Sequence, residues 1–219
     1  LIDDKTKVVF IASPNNPTGT AKTLLEIKDF LNNLPDDILV FLDQAYYEYI
    51  EGSEFDIPFS LIDDHPNLVI SRSFSKAHGL AALRLGFCVS NPELSDYLNR
   101  VRQPFNANSL ALDLGKVALS DQEHISKSVK INSSGMERVK KAFTNLDYNF
   151  IESWGNFISF DAKQDSDVAF QYFLEKGVIL RSLKVYEMPQ HLRVSIGTEE
   201  EMDFFLQVLE DYEKDLSKK

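Results

Sequence analysis

The sequence predicts an α/β protein with a mostly parallel sheet, followed by a smaller C-terminal α+β domain. In the first half, short apolar runs alternate with amphipathic stretches, which is the pattern of strands joined by helices. Four runs lack strict polar alternation, as strands covered on both faces do: 8–12, 38–42, 68–70 and 85–89. From about residue 92 helical patterns dominate before strands return. We therefore expect domains at 1–121 and 122–219.

The order of elements in the first half predicts strand directions. Residues 23–31 have apolar side chains at helical spacing, and Pro35 lies beyond them as a stop. A strand, helix, strand order predicts that the first two strands are parallel neighbours. The link from Ser71 to Leu85 contains Gly79 and leaves little room for a packed helix. This favours an antiparallel fourth strand.

The second half predicts helices around three short strands. The expected helices are 93–102, 109–120, 121–146, 168–176 and 199–216. The expected strands are 157–160, 178–180 and 192–196. The long helix would join the two domains.

Composition excludes several classes of protein. The 219 residues carry a formal net charge of −11, which argues against nucleic acid or an anionic membrane as a partner. A small anionic ligand is still compatible, because a few arginines can build a local positive pocket. The single cysteine, Cys88, cannot form an internal disulfide or supply a cysteine-based zinc site, and no metal site is expected. It indicates a reducing compartment, the cytoplasm. No apolar stretch approaches the roughly 18 residues of a membrane span.

The first residues indicate that the sequence is part of a longer protein. There is no initiating Met, and a buried strand is expected within the first dozen residues. The opening residues also lack the basic and then apolar character of a signal peptide.

Three polar clusters each follow a predicted strand directly: 13–19, 43–46 and 71–76. Ligands of open α/β sheets bind outside the carboxyl ends of the strands, so we expect the clusters to meet in one crevice. Each cluster also has a plainer interpretation. The residue types of the first cluster are those of an ordinary turn. Asp43 could cap a helix, and Lys76 could be a solvated surface charge.

The clusters, extended as far as Arg84, contain the motifs Asn16-Pro17-Thr18-Gly19, Asp43-x-x-Tyr46 and Ser73-x-Ser75-Lys76-(x)7-Arg84. This set resembles the signature of class I/II aminotransferases, the fold-type I enzymes that use pyridoxal 5′-phosphate. Within that family the chain is most similar to histidinol-phosphate aminotransferases. The further segments that carry this similarity are 14–19, 79–87, 102–106 and 192–198.

The resemblance implies three catalytic residues. Lys76 would hold the cofactor covalently and later move a proton. Asp43 would pair with the pyridine nitrogen and keep it protonated. Tyr46 would hydrogen-bond the ring oxygen O3′ together with Asn16, a cofactor-binding residue.

The resemblance also implies residues that bind phosphate and substrate. Ser73, Ser75 and Arg84 would hold the cofactor phosphate, where the paired donors of an arginine suit phosphate geometry. Arg193 matches the family's substrate-anchoring arginine, and Arg181 matches a second arginine directed at the substrate's phosphate. For Arg181 a surface charge at a strand end is the alternative.

The implied function is a PLP-dependent transaminase of histidine biosynthesis. It would convert histidinol phosphate and 2-oxoglutarate into imidazole acetol phosphate and glutamate, as a homodimer with amino acids and keto acids as its small-molecule substrates. An aromatic amino acid aminotransferase or a phospho-amino-acid decarboxylase would use the same cofactor and the same set of residues. A non-catalytic binding module is a further alternative, although such a relative would be expected to lose Lys76 or Asp43 first.

Some features depart from the family pattern. Gln44 stands where Glu is common, and His78 stands where an aromatic residue is usual after Lys-Ala. We expect His78 to pack or to form a loop hydrogen bond rather than to act as a base. Family members also begin much earlier, so the isolated 219-residue piece is expected to be inactive.

Overall fold

The computed structural model of the protein describes residues 2–50 and 52–218. Its contacts divide the chain into two compact units. The first comprises Leu1–Asn15 and Ala21–Ser126, and the second comprises Asn16–Thr20 and Lys127–Lys219. The short segment Asn16–Thr20 therefore belongs by its contacts to the C-terminal unit.

The first unit is built on a four-stranded sheet in sequence order. Its strands are β1 (Val8–Ala12), β2 (Leu39–Asp43), β3 (Leu68–Ser73) and β4 (Gly86–Val89). The pairs β1–β2 and β2–β3 are parallel, and β4 is antiparallel to β3. The predicted fold class and the predicted strand directions are confirmed. Because the first three strands are parallel, their carboxyl ends lie at one edge of the sheet.

Helix α1 (Leu24–Asn32) makes the parallel crossover from β1 to β2. It begins with a capping box, in which Thr23 and Glu26 each accept a hydrogen bond from the other's backbone N–H. Its buried side chains, Ile27 and Leu31, belong to the same apolar core as residues of β2 and β3. Short helix α2 (Leu61–Asp64), which the sequence pattern does not predict, adds Leu61 and Ile62 to that core.

Three helices follow β4. They are α3 (Pro92–Val101), α4 (Ser109–Ser120) and α5 (Gln122–Asn145). Each bound lies within one residue of its prediction, because each helix begins or ends at a recognisable residue. Asn91 and Asn108 cap the first two by accepting a backbone N–H three residues on.

The second unit contains an antiparallel sheet with two helices besides its part of α5. The strands are ordered β5-β6-β8-β7. The elements are β5 (Phe150–Ile151), β6 (Phe157–Asp161), α6 (Ser166–Glu175), β7 (Arg181–Ser182), β8 (His191–Ser195) and α7 (Glu199–Leu216).

The strand predicted at 178–180 is wrong, because β7 begins only at Arg181. Val178 and Leu180 are buried whereas Ile179 is 79% exposed, so the segment alternates as a strand would. It is nevertheless a loop that follows Gly177 and packs on the core. Pairing with β8 starts where Arg181 lies opposite Arg193.

Aromatic rings fill the core of the second unit. Phe143 and Phe160 are fully buried, with ring centroids 4.6 Å apart, and Phe173 and Phe205 pack around them. No helix among the described residues combines the length and the apolar character needed to cross a membrane.

Removing one of these rings should destabilise the protein strongly. We expect Phe160→Ala to lower the free energy of unfolding by about 3–5 kcal/mol, because the fully buried ring leaves a cavity among close-packed neighbours. Phe204→Ala is the matched control, since its ring is 51% exposed in the same unit. Urea unfolding followed by circular dichroism measures both, and similar losses in the two variants would contradict this view of the core.

Candidate active site

Asp43 is the last residue of β2 and is held at the carboxyl edge of the sheet. In the strand register it lies between Ala12 of β1 and Ser71 of β3. Its Oδ1 accepts hydrogen bonds from the Ala45 backbone N–H at 3.0 Å and from the Ser71 hydroxyl at 3.3 Å. The carboxylate thus forms an Asx turn rather than a helix cap, and its exposed side chain faces solvent at the sheet edge.

Tyr46 and Lys76 lie together in the first unit. Tyr46 is 5% exposed and precedes a short 3₁₀ helix, Tyr47–Tyr49, in the loop after β2. Lys76 is half-buried in the loop after β3. Its Nζ lies 5.0 Å from the centroid of the Tyr46 ring, within cation–π range. The clusters that follow β2 and β3 therefore meet, as the strand order predicts.

Backbone hydrogen bonds shape the loop that carries Lys76. The Ser75 N–H donates to the Ser73 hydroxyl at 3.0 Å. The Gly79 N–H donates to the Lys76 carbonyl, and the Leu80 N–H donates to the Phe74 carbonyl, both at 2.9 Å. Gly79 has a φ of 71°, which favours glycine at this turn.

Arg84 directly follows another short 3₁₀ helix, Ala81–Leu83, just before β4. Its backbone is left-handed, with a φ of 52°, and its Nη1 donates to the Ala81 carbonyl at 2.9 Å. The side chain is exposed. Hydrogen bonds among the described residues do not link it to Ser73 or Ser75, so each of the three keeps donor capacity for a ligand.

A part-buried hydrogen bond joins the carboxyl ends of β2 and β3. The fully buried Gln44 accepts a hydrogen bond from Arg72 Nε at 3.1 Å through its Oε1. The Arg72 guanidinium stacks on Tyr47, 3.3 Å from that ring's centroid.

The hydroxyl of Tyr49 is harder to ionise than an ordinary phenol. Burial, with nearby negative charge on Glu48, raises the pKa of Tyr49 to about 12, so this phenol stays protonated at neutral pH.

Asn16 lies in the second unit, with Arg193. Nη1 of Arg193 on β8 donates to Oδ1 of Asn16, and the guanidinium carbon lies 4.8 Å from the Phe157 ring centroid. Arg193 Nε is buried without a hydrogen-bond partner among the described residues. A mid-strand cation held in this way has donors left for an anion.

The segment that carries Asn16 is fixed to the sheet of the second unit. The Ser159 hydroxyl donates to the Pro17 carbonyl at 2.6 Å, and the Trp154 N–H donates to the Gly19 carbonyl at 2.9 Å. Gly19 has a φ of 80°, and a Cβ there would lie 2.1 Å from the Ser153 hydroxyl oxygen. No other residue fits this turn without a shift of its neighbours.

Arg181 lies beside Arg193 on the same face of the second sheet. The two are directly opposite in the antiparallel register of β7 and β8. Arg181 is exposed and forms no salt bridge with any residue that the structure describes. Two guanidinium groups on neighbouring strands form a cationic position suited to an anionic substrate.

Sequence reasoning did not assign two residues that support the site. Ser71 hydrogen-bonds Asp43, and Phe157 packs on the Arg193 guanidinium. The contact of Ser71 with Asp43 could have been predicted, because both residues directly follow apolar runs on strands expected to be parallel neighbours. Phe157 had no such signal, because nothing local shows which strand β8 joins.

Comparisons with known proteins identify the family. The model of "Aminotransferase class I and II" matches residues 1–209. Histidinol-phosphate aminotransferase 1 of Nitrosococcus oceani is 46% identical over 95% of this chain and 56% of its own length. Histidinol-phosphate aminotransferase 2 of Pseudomonas fluorescens is 49% identical over 95% of this chain and 56% of its own length.

A solved structure gives the same result. The crystal structure of histidinol-phosphate aminotransferase from Sinorhizobium meliloti in complex with pyridoxal-5′-phosphate matches with a TM-score of 0.87 and 25% identity, over 95% of this chain and 58% of that chain. The chain thus spans little more than half the length of these relatives. Since the family model covers nearly all of its residues, the chain belongs to the class I and II aminotransferases.

Proposed function

We propose that this chain is part of a PLP-dependent histidinol-phosphate aminotransferase of histidine biosynthesis. The full-length protein would convert histidinol phosphate and 2-oxoglutarate into imidazole acetol phosphate and glutamate. The observation that carries the proposal is the Lys76 amine beside the Tyr46 ring, at the same sheet edge as the Asp43 carboxylate. The names of the relatives at 46% and 49% identity support the choice of substrate.

The donor set in the first unit fits pyridoxal phosphate. That molecule has an aldehyde, a basic ring nitrogen and a phosphate, which need an amine, an anion and phosphate donors. Lys76 provides the amine and Asp43 the anion. When bound, the cofactor supplies an electron sink that stabilises the carbanion at the substrate's α-carbon.

The role of Asp43 would be to hold the ring nitrogen protonated. Oδ1 accepts two hydrogen bonds from the protein, which fix the direction of the carboxylate. Oδ2 makes none among the described residues, which leaves it to accept the N–H of a ligand. A charge-assisted bond of this kind is about twice as strong as a neutral one.

Phosphate would be bound by the turn after β3 and by Arg84. Ser73 accepts the Ser75 N–H, and its own hydroxyl hydrogen is left to donate. Arg84 uses one of its five N–H groups on Ala81, so the remainder can bind a phosphate oxygen. The left-handed backbone at Arg84 fixes where its side chain starts.

Lys76 would bind the cofactor and then move the proton at the substrate's α-carbon. The half-buried amine contacts the Tyr46 ring face, which keeps it oriented. Tyr46 would donate to the ring oxygen of the cofactor, with Asn16 as a second donor. These roles follow the family pattern on matching residues of this sequence.

Arg193 and Arg181 would bind the substrate's anionic group. Arg193 would anchor either substrate, because it is positioned by Asn16 and Phe157. Arg181, opposite it in the register, would add a second guanidinium for the phosphate. Aromatic amino acid aminotransferases and phospho-amino-acid decarboxylases would use the same cofactor, and they differ in what these two arginines contact.

We further propose that the full-length protein is a cytoplasmic homodimer. The family resemblance implies the dimer, and helix α4 supports it with a run of apolar side chains 39–65% exposed. These are Leu110, Leu112, Leu114, Val117 and Leu119. Exposed apolar patches of this kind mark protein interfaces.

The covalent role of Lys76 predicts where the cofactor attaches. Full-length protein incubated with pyridoxal phosphate and reduced with borohydride should carry one cofactor mass on the peptide that contains Lys76. Lys76→Ala should lose this adduct and at least about 10³-fold of the transaminase rate, as expected for loss of a covalent and proton-transferring group. Lys28→Ala, on the exposed face of α1, is the control that should keep both. An adduct on another lysine would refute the assignment.

The two arginines predict a substrate-specific effect. Arg181→Gln should raise KM for histidinol phosphate by about tenfold or more, the loss expected for one charged hydrogen bond, with little effect on glutamate. Arg193→Gln should impair both substrates. Lys184→Gln is the matched control, because this nearby cation is already paired with Asp165 and Asp167. An equal rise of KM for both substrates in Arg181→Gln would contradict a role of Arg181 in binding the phosphate.

A further inference from the structure

Two loops of the first unit each carry a site residue and, two positions later, a buried titratable residue. Tyr46 is followed by Glu48 in the loop after β2, and Lys76 is followed by His78 in the loop after β3. Nε2 of His78 lies 3.6 Å from Oε1 of Glu48. The side chains are 8% and 13% exposed, so the pair is almost entirely removed from water.

This pair is costly as a purely structural feature. His78 Nδ1 and Glu48 Oε2 are buried without a hydrogen-bond partner among the described residues. Burial raises the pKa of Glu48, while His78 and Arg72 act in the opposite direction. Apolar residues of similar volume often stabilise a fold more than a buried polar pair does. A role beyond stability would explain why the pair stands beside the proposed site.

We propose that Glu48 and His78 form a buried bridge that positions the Lys76 amine against the Tyr46 ring. Both are positioning residues, since they act through the loops that they join. The bridge rests on the proposed function only for its purpose, because the contact itself is independent of any cofactor.

The backbone transmits the position of each bridge residue to its site residue. The Gly79 N–H, next to His78, donates to the Lys76 carbonyl at 2.9 Å. The Tyr49 N–H, next to Glu48, donates to the Tyr46 carbonyl at 3.1 Å. A shift of either bridge residue therefore moves the turn that carries its site residue.

Two other contacts limit the freedom of the bridge. The His78 ring packs on Phe74, with centroids 4.9 Å apart. Gln44 and Arg72 join the same two loops where they leave the strands, through a 3.1 Å hydrogen bond. The loops are thus tied at their roots by Gln44–Arg72 and further out by Glu48–His78, with Lys76 and Tyr46 between these ties in the sequence.

The test measures the reactivity of Lys76 in full-length protein without pyridoxal phosphate. Competitive acetylation with acetic anhydride, read by peptide mass spectrometry over a series of pH values, gives the labelling rate of Lys76 relative to exposed Lys28. The His78→Phe variant keeps a ring on Phe74 but removes Nε2. We expect it to change the relative rate by about threefold or more and to alter its pH profile, as for coupled residues in contact. Glu48→Gln keeps an acceptor and should produce a smaller change in the same direction.

Matched variants separate positioning from stability. Tyr47→Phe removes a 2.8 Å hydrogen bond to Asp56 from the same 3₁₀ helix but leaves the bridge intact, so its labelling should equal that of the wild type. The double variant Glu48→Gln/His78→Phe should show no larger change than His78→Phe alone, since the two residues act through one contact. If His78→Phe does not fold, Glu48→Gln decides the test by the same measurement.

Two results would overturn the bridge. One is wild-type labelling of Lys76 in both folded single variants, and the other is multiplication of their effects in the double variant. Failure of the full-length protein to bind pyridoxal phosphate on Lys76 would refute the proposed function instead. It would leave the labelling test intact, because that test uses protein without cofactor.

Discussion

The parallel pairing of β2 with β3 is the constraint on which the candidate site of the first unit depends. In parallel strands the carboxyl ends lie at the same edge, so the loops that leave them are neighbours from their first residue. The register sets Asp43 directly beside Ser71, and their hydrogen bond fixes the carboxylate. A one-residue shift of either strand would turn its side chain, Asp43 or Ser71, to the opposite face of the sheet and separate the two. The core under β2 and β3 therefore determines the direction of the polar groups above it.

The polar contacts around this edge differ in kind from the core that supports it. Apolar burial fixes where the strands lie, but it does not distinguish one loop conformation from another. Gln44–Arg72 is a directional hydrogen bond, and Glu48–His78 is a close polar contact shielded from water, where an unpaired polar atom is costly. Such contacts select one arrangement of the loops and discard the others. The edge thus combines a robust scaffold with a specific set of polar side chains.

In the second unit, polar and aromatic contacts hold the guanidinium of Arg193 in place. Arg193 lies mid-strand, between the buried side chains of Leu192 and Val194. Its guanidinium is held by the Asn16 amide oxygen and the Phe157 ring, neither of which neutralises it. The positive charge of the guanidinium is thus not offset by these two contacts, which suits recognition of an anion. The turn at Gly19 makes this possible, because it brings the segment of Asn16 onto the sheet.

The sequence by itself determined the local elements and the family. Helices 109–120 and 199–216 were predicted to the residue, because caps and helical periodicity are properties of neighbouring residues. The site residues were assigned by resemblance to short motifs, and their roles stay predictions. Tertiary structure decided what depends on distant partners: the loop at 178–180, the association of Asn16 with Arg193, and the contact of Glu48 with His78. The physical reason is that alternation along the chain reports burial of a side chain, whereas the identity of its partner is set by how the strands and loops pack.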